Sequence, residues 1–292
     1  MEPKRFIYHG GLRELADAHS DLQRVRLGME ARKLATMTPG QVGEMLVKAD
    51  DLALWSEVEG ALLHQERVLA ARIAEAVARH PVGPWLMAVP GMANTVAGTI
   101  IGYIVDARRF STISKLWRYC GYAVLEGKAE RRRKGSKSHF VPTLKSALHT
   151  AAIGMIRNSA GYRNLYVSAE IRYMKERPGW IVCRTCGTTS DGCRNPAAHS
   201  ESNRMAPGGW NTTRVIQAAR RRMVKVFLSN LWIVWHVQTN TPVPRRPYVH
   251  DVLGHDTYHG PEDFVNFALP PIVYAPDAKP FTSDPQVGFA SP

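Results

Sequence analysis

Three long stretches of this chain repeat apolar residues every three or four positions without a proline inside them, and a pattern of that period dictates helices. From Leu12 to Arg32 the stripe runs Leu15, Ala18, Leu22, Val25 and Met29, with Arg and Glu beside it. From Asp50 to His80 it runs Trp55, Val58, Leu62, Leu69, Ile73 and Val77, and from Thr213 to Gln238 it runs Ile216, Ala219, Met223, Phe227, Leu231 and Val234. Strands would alternate every second residue, so these spacings select α-helix. The first two stretches are separated at Thr38-Pro39-Gly40, and Asp50 or Asp51 supplies an N-cap for the second. Neither can bury its stripe alone. Residues 1–83 are therefore expected to form a coiled-coil-like arm, an antiparallel helical hairpin that closes on itself or pairs with a second copy of the chain.

Prolines at 81 and 84 end the second helix. Residues 84–177 read as a domain of short helices joined by glycine turns, with Leu144, Leu148, Ala151 and Met155 forming one core face. Residues 178–210 then change character, becoming rich in Cys, Gly, Ser, Thr, Asn and Pro with too few apolar residues for a helix of their own. They read as an insertion. The long helix at 211–250 is expected to pack on the central domain, with Arg220, Arg221, Arg222 and Lys225 around its first half. From 251 to 292 the prolines multiply, and the stretch reads as a disordered tail. The expected fold class is all-α.

The 292 residues carry a formal net charge of +13, and 45% are hydrophobic, enough for a real core beneath a strongly basic surface. Such a balance favours DNA, RNA or an anionic membrane surface as partner. No apolar run reaches the roughly 18 residues that span a bilayer, and the first residues, MEPKRFIYHGG, lack the apolar centre of a signal peptide. A cytoplasmic location without membrane insertion is expected. Four cysteines in a reducing compartment do not suggest disulfides.

Three of those cysteines point to metal. Cys183 and Cys186 are two residues apart, Cys193 follows after six more, and His199 after another five. Three thiolates and an imidazole at this spacing can close a tetrahedron around Zn2+, and ligation would supply the folding energy that the polar insertion lacks. With four protein ligands the zinc would be structural, a small knuckle, because catalytic zinc keeps a position open for water. Cys120, set among Trp117, Tyr119 and Tyr122, reads as a small core residue.

Two further segments suit a polyanion. At Val89-Pro90-Gly91-Met92-Ala93-Asn94-Thr95 a tight turn leads straight into a helix start, leaving the amides of Gly91, Ala93, Asn94 and Thr95 available to a phosphate oxygen. That is the working end of a helix-hairpin-helix element, which grips the backbone without reading bases; an ordinary helix connection has the same local sequence. Downstream, Lys128, Arg131, Arg132, Arg133, Lys134 and Lys137 face a single carboxylate, Glu130, within twelve residues. Such a run cannot be buried, so it is a solvated or polyanion-facing loop. Carboxylates able to converge on Mg2+ are not evident: Asp21, Asp50, Asp51 and Asp106 all sit in helical or capping contexts.

The blocks VPGMANTVAGTIIGYIVDARRFSTISKLWRYCGYAV, GKAERRRKGSKSHFVPTLKSALHTAAIGM and ARRRMVKVFLSNLWIVW, in this order, resemble the C-terminal transposase domain of the insertion-sequence 110 / 116 / 902 transposase family. With the helical arm upstream, the resemblance spans roughly residues 10–250. It implies DNA transposition or recombination, in some members with a structured RNA as guide. It also implies an N-terminal RNase-H-like carboxylate domain binding Mg2+, and a nucleophilic serine before the basic run. The chain is expected to depart from both: the residues given ahead of Leu12 leave no room for the carboxylate domain, so Mg2+ is expected only with a separate carboxylate domain, and the serine position reads Leu125-Glu126-Gly127-Lys128. Ser136 and Ser138 are the remaining candidates. The family's second hairpin glycine is Ala93 here.

Three functions are compatible with these features. The first is a DNA-binding, transposase-like protein of a mobile element, catalytically active or partnered. The second is a non-catalytic, domesticated DNA- or RNA-binding protein. The third is a coiled-coil interaction protein, homo-oligomeric through its N-terminal helices, whose charge only keeps it soluble.

Overall fold

The computed structural model describes residues 11–37, 49–125, 127–131, 135, 138–177, 209–244 and 260–276. Among them the chain is predominantly helical, with eight α-helices and one short hairpin of two-residue strands. None of the described helices is long and apolar enough to cross a membrane. The described residues fall into two units, one comprising residues up to 88 together with 92–109, the other 89–91 together with residues from 110 onward. The helices α3 (Gly83–Ala88) and α4 (Asn94–Ile104) fall in the first unit with the two long helices before them.

In the first unit, α1 (Gly11–Met37) and α2 (Ala49–Arg79) lie side by side. Arg26 pairs with Glu66, and Lys33, further along α1, pairs with Glu59, earlier in α2, so the two helices run in opposite directions. The stripe on α1 differs from its sequence reading. Val25 is 51% exposed, and the inward position one residue later holds Arg26. The guanidinium donates from Nε to Glu66 Oε1 at 2.6 Å and from Nη2 to Oε2 at 3.3 Å. Glu66 is one of the few buried charged side chains, and its fork-to-fork bond with Arg26 explains how a charge is tolerated there. Apolar periodicity misses both residues because it scores charge as outward-facing.

The α4 helix seals the end of this pair. Gly98 faces Ile73, Val77 and Leu12, and Gly102, one turn on, faces the backbone of Leu12 and Arg13; a Cβ on Gly102 would sit 2.8 Å from the Arg13 Cα. Two glycines four residues apart let three helices approach closer than any side chain would allow. Tyr103 then donates to Asp17 Oδ1 at 2.6 Å while Arg13 covers its ring.

The second unit is built on α8 (Thr212–Gln238), started by Asn211, whose side chain accepts from the Arg214 amide at 2.8 Å. From Phe227 to Val237 nearly every residue of α8 is buried, and α5 (Ile113–Tyr119), α6 (Pro142–Asn158) and α7 (Ala160–Glu176) pack on it. Indole donors tie the layers: Trp232 Nε1 to the Phe110 carbonyl and Trp117 Nε1 to the Lys225 carbonyl, both at 3.1 Å. Between α5 and α6 the chain makes a hairpin, β1 (Val124–Leu125) pairing antiparallel with β2 (Lys128–Ala129). Cys120 is fully buried.

Part of the stretch expected to be a tail belongs to this unit. Phe264 stacks on Tyr162 with ring centroids 4.5 Å apart, Val265 is buried, and Val243 forms a parallel bridge with Tyr274. Prolines exclude a helix there, but an extended segment can dock through isolated apolar anchors that leave no periodic trace in sequence. The insertion at 178–208, including its cysteines, lies outside the described residues.

Two substitutions test this packing. Gly102→Ala should destabilise the chain by roughly 1–3 kcal/mol in urea denaturation, against an intrinsic gain of about 1 kcal/mol for alanine over glycine in a helix. Replacing Glu66 alone by Leu should lower the melting temperature more than replacing Arg26 and Glu66 together by Met and Leu, because the single change strands a cation; equal losses would show that the pair is not coupled.

Candidate nucleic-acid interface

The Pro90-Gly91 turn has local features of a backbone grip. Gly91 takes φ +87°, and Ala93, extended at the N-cap of α4, offers no side-chain bond to the helix start. The first α4 amides, from Asn94 onward, therefore have no capping side chain and no intrahelical acceptor. Asn94 is exposed and Thr95 half-buried. Gly91 also has a packing role: it rests on Gly154 and Asn158 of α6, where a Cβ would collide with the Gly154 carbonyl. Close approach of two backbones is sufficient reason for a glycine at 91 and at 154.

Of the basic run, Arg131 is described and exposed, and the backbone of Lys128 lies in β2. Arg132, Arg133, Lys134, Ser136 and Lys137 lie outside the described residues. Ser138 closes a turn, donating to the Phe140 carbonyl at 2.8 Å and accepting from the Phe140 amide at 3.3 Å. Cys183, Cys186, Cys193 and His199 are outside the described residues as well. Among the described residues, no group of three or more His, Cys, Asp or Glu side chains is placed to hold a metal ion.

What the tertiary structure adds is a second set of cations behind Arg131. Neither α6 nor α8 contains a single Asp or Glu, and α6 packs on the first half of α8. Lys145 and His149, one turn apart on α6, thereby come together with Arg220, Arg221 and Lys225 of α8, all half-buried. Arg220 Nη1 is 3.4 Å from the His149 ring nitrogens, and its Nε is buried without a hydrogen-bond partner among the described residues. Lys145 donates to the Glu130 carbonyl at 2.9 Å and lies 4.3 Å from the centre of the Phe140 ring. Lys225 sits 4.6 Å over the Trp117 ring. Among the described residues, no carboxylate comes within ion-pair distance of Arg131, Lys145, Arg220 or Arg221.

The electrostatic consequence is mutual strain. Burial, reinforced by Arg221, lowers the Lys145 ammonium, with Glu130 opposing the shift. Burial lowers Arg221 itself, and Arg131 and Arg214 add to it while Tyr173 and Tyr122 oppose. Burial and then Arg220 lower His149. The Lys225 ammonium is pushed down to about 8, again by burial first and Arg221 second. Beneath them the Tyr122 phenol is raised, chiefly by burial and then by Cys120, with Arg220 and Arg221 pulling the other way. Sequence spacing places the α8 cations on a helix but not against α6. The signal that could have found them is two helices with cations and no acid at all.

A lysine lowered in the folded state binds its proton less readily there than in the unfolded chain. Between pH 8 and its ordinary 10.5 the unfolded state holds more protons, so stability should rise with pH, by about 3 kcal/mol over the whole window for Lys225. Tyr122 and Tyr162, raised in the folded state, contribute stability that is present below pH 10 and lost above it. Melting temperature should therefore climb from pH 8 to about 9.5, and Lys225→Met should flatten that climb.

No curated protein and no solved structure matches this chain. A family model does, over residues 84–167, a stretch that runs from α3 through the Pro90-Gly91 turn, the basic run and all of α6 into α7. By that match residues 84–167 are similar to the Transposase IS116/IS110/IS902 family.

Proposed function

We propose that this chain is a DNA-binding protein of a transposition or recombination system, gripping the phosphate backbone through the cations of the second unit and, separately, through the turn that opens α4. The observation that carries the reading is the acid-free packing of α6 on α8 inside and beside the matched family domain, with Arg131 exposed at its edge. Cations gathered without counter-ions cost folding energy, and a polyanion offsets that cost by replacing the missing carboxylates. The N-terminus of α4 and Gly91, Ala93, Asn94 and Thr95 suit phosphate contacts that position rather than specify. Structured RNA presents the same phosphates and is the second substrate class to offer. A second copy of the chain, paired through α1 and α2, is the protein partner this reading includes.

One observation favours a binding role without strand cleavage. The Ser138 hydroxyl donates to and accepts from the Phe140 backbone, and among the described residues it makes no hydrogen bond to a side-chain base. An active version would use Ser136 or a residue of a separate carboxylate domain bringing Mg2+. Incubation with nicked and intact duplexes, alone and with such a domain, decides this through a covalent serine–DNA adduct. The insertion is proposed to bind one structural Zn2+ per chain through Cys183, Cys186, Cys193 and His199. Metal analysis should find it, and Cys186→Ser should lose it.

Binding to duplex DNA should weaken steeply as salt rises. Replacing Arg131, Arg132 and Arg133 together by Ala should reduce the slope of log affinity against log salt by about 2 to 3, at roughly 0.9 for each phosphate no longer neutralised. Absence of any affinity for DNA or RNA at low salt would overturn the reading and leave the coiled-coil interaction protein in its place.

A further inference from the structure

Resting on the reading that the chain binds polynucleotides, the geometry points to a discrete phosphate site between α6 and α8, where Arg220, Arg221 and Lys145 take one backbone phosphodiester largely out of water. This is a different thing from a basic surface. An exposed side chain such as Arg131 neutralises a phosphate that stays hydrated, whereas these three side chains are half-buried, with the buried Phe140 ring under Lys145 and the buried Tyr122 phenol within the field of both arginines. Their neighbours leave them short of partners. The Arg220 Nε is closed off from water with no acceptor among the described residues, and Nη1 meets only the edge of His149, a ring whose nitrogens give at most one acceptor when neutral. The single carboxylate acting on Lys145, Glu130, stays beyond ion-pair distance, and Lys145 turns to its backbone carbonyl instead.

The donor set fits a phosphate better than a carboxylate. Two consecutive arginines present planar forks of N–H donors, which bind two oxygens of one anion at once, and the ammonium of Lys145 adds a point charge from the facing helix. A phosphodiester has two free oxygens and one negative charge, so it can accept from both helices together. Because α6 and α8 are held by core packing, the donors need little reorganisation on binding. Arg222, the third of the run, is exposed, unlike Arg220 and Arg221, which assigns it to the hydrated surface.

The site predicts opposite signs for stability and binding. Removing one of several repelling half-buried cations should stabilise the free protein while weakening ligand binding. The experiment compares the full chain with R221M and K145M in two arms: thermal melting with inorganic phosphate against chloride at matched ionic strength, and titration of a short duplex DNA at low salt. Expected is a phosphate-dependent rise in melting temperature for the unaltered chain. In R221M that rise should vanish, the phosphate-free melting temperature should be equal or higher, and duplex affinity should fall about tenfold or more. If R221M fails to fold, K145M carries the same comparison.

Variants that keep both the phosphate response and the duplex affinity would overturn the site while leaving DNA binding intact. Loss of duplex affinity in the unaltered chain is the separate failure of the broader reading. A phosphate response through Arg221 with no duplex binding would overturn the polynucleotide as ligand and mark a small-phosphate site instead.

Discussion

The second unit depends on α8, a helix that must serve as core along one half and carry charge along the other. From Phe227 onward its side chains are enclosed on almost every side, and two indole bonds anchor it, one from its own Trp232 to the Phe110 carbonyl and one from Trp117 of α5 to its Lys225 carbonyl. Enclosing a helix this completely fixes its rotation and its depth. Arg220, Arg221 and Lys225 lie within the two turns before that enclosed half, and they have no freedom to swing the backbone toward water. Their partial burial follows from where the tryptophans sit.

The two units treat buried charge in contrasting ways. In the first, Arg26 turns inward between two helices and meets Glu66 with both arms of its fork, so the charges satisfy one another and the helices gain a defined register. In the second, arginine and lysine are drawn inward by the same kind of packing but meet tyrosine, histidine and each other. A self-contained scaffold is expected to resemble the first case. Charge left unmatched beside a family domain is what a ligand of opposite sign would complete.

The extent of the family match bears on the same point. It ends at residue 167, within α7, so Arg131, Lys145 and His149 fall inside it while Arg220, Arg221 and Lys225 lie beyond it. The cation cluster is assembled from both parts of the second unit, and only packing of α6 on α8 brings them together. Gly91 and Gly154 show the same dependence on close approach, since each leaves room for the backbone of the other.

Much of the architecture can be read from residues alone, because helices announce themselves in the spacing of Leu, Ile and Val, and because Pro81 and Pro84 must end one. The basic run and the departure from a serine at 125–128 are equally plain, being properties of composition. Arg26 and Glu66 are not legible, since a charge turned inward is decided by a partner forty residues away. Nor is the docking of Phe264 on Tyr162, where one ring in a proline-rich stretch is enough. The cations of α6 and α8 show the division most clearly: the absence of acids from both helices is written in the sequence, but whether those cations face water or one another is set by which helix faces pack. Burial is a property of neighbours in space, and neighbours far apart in the chain are chosen only when the core closes.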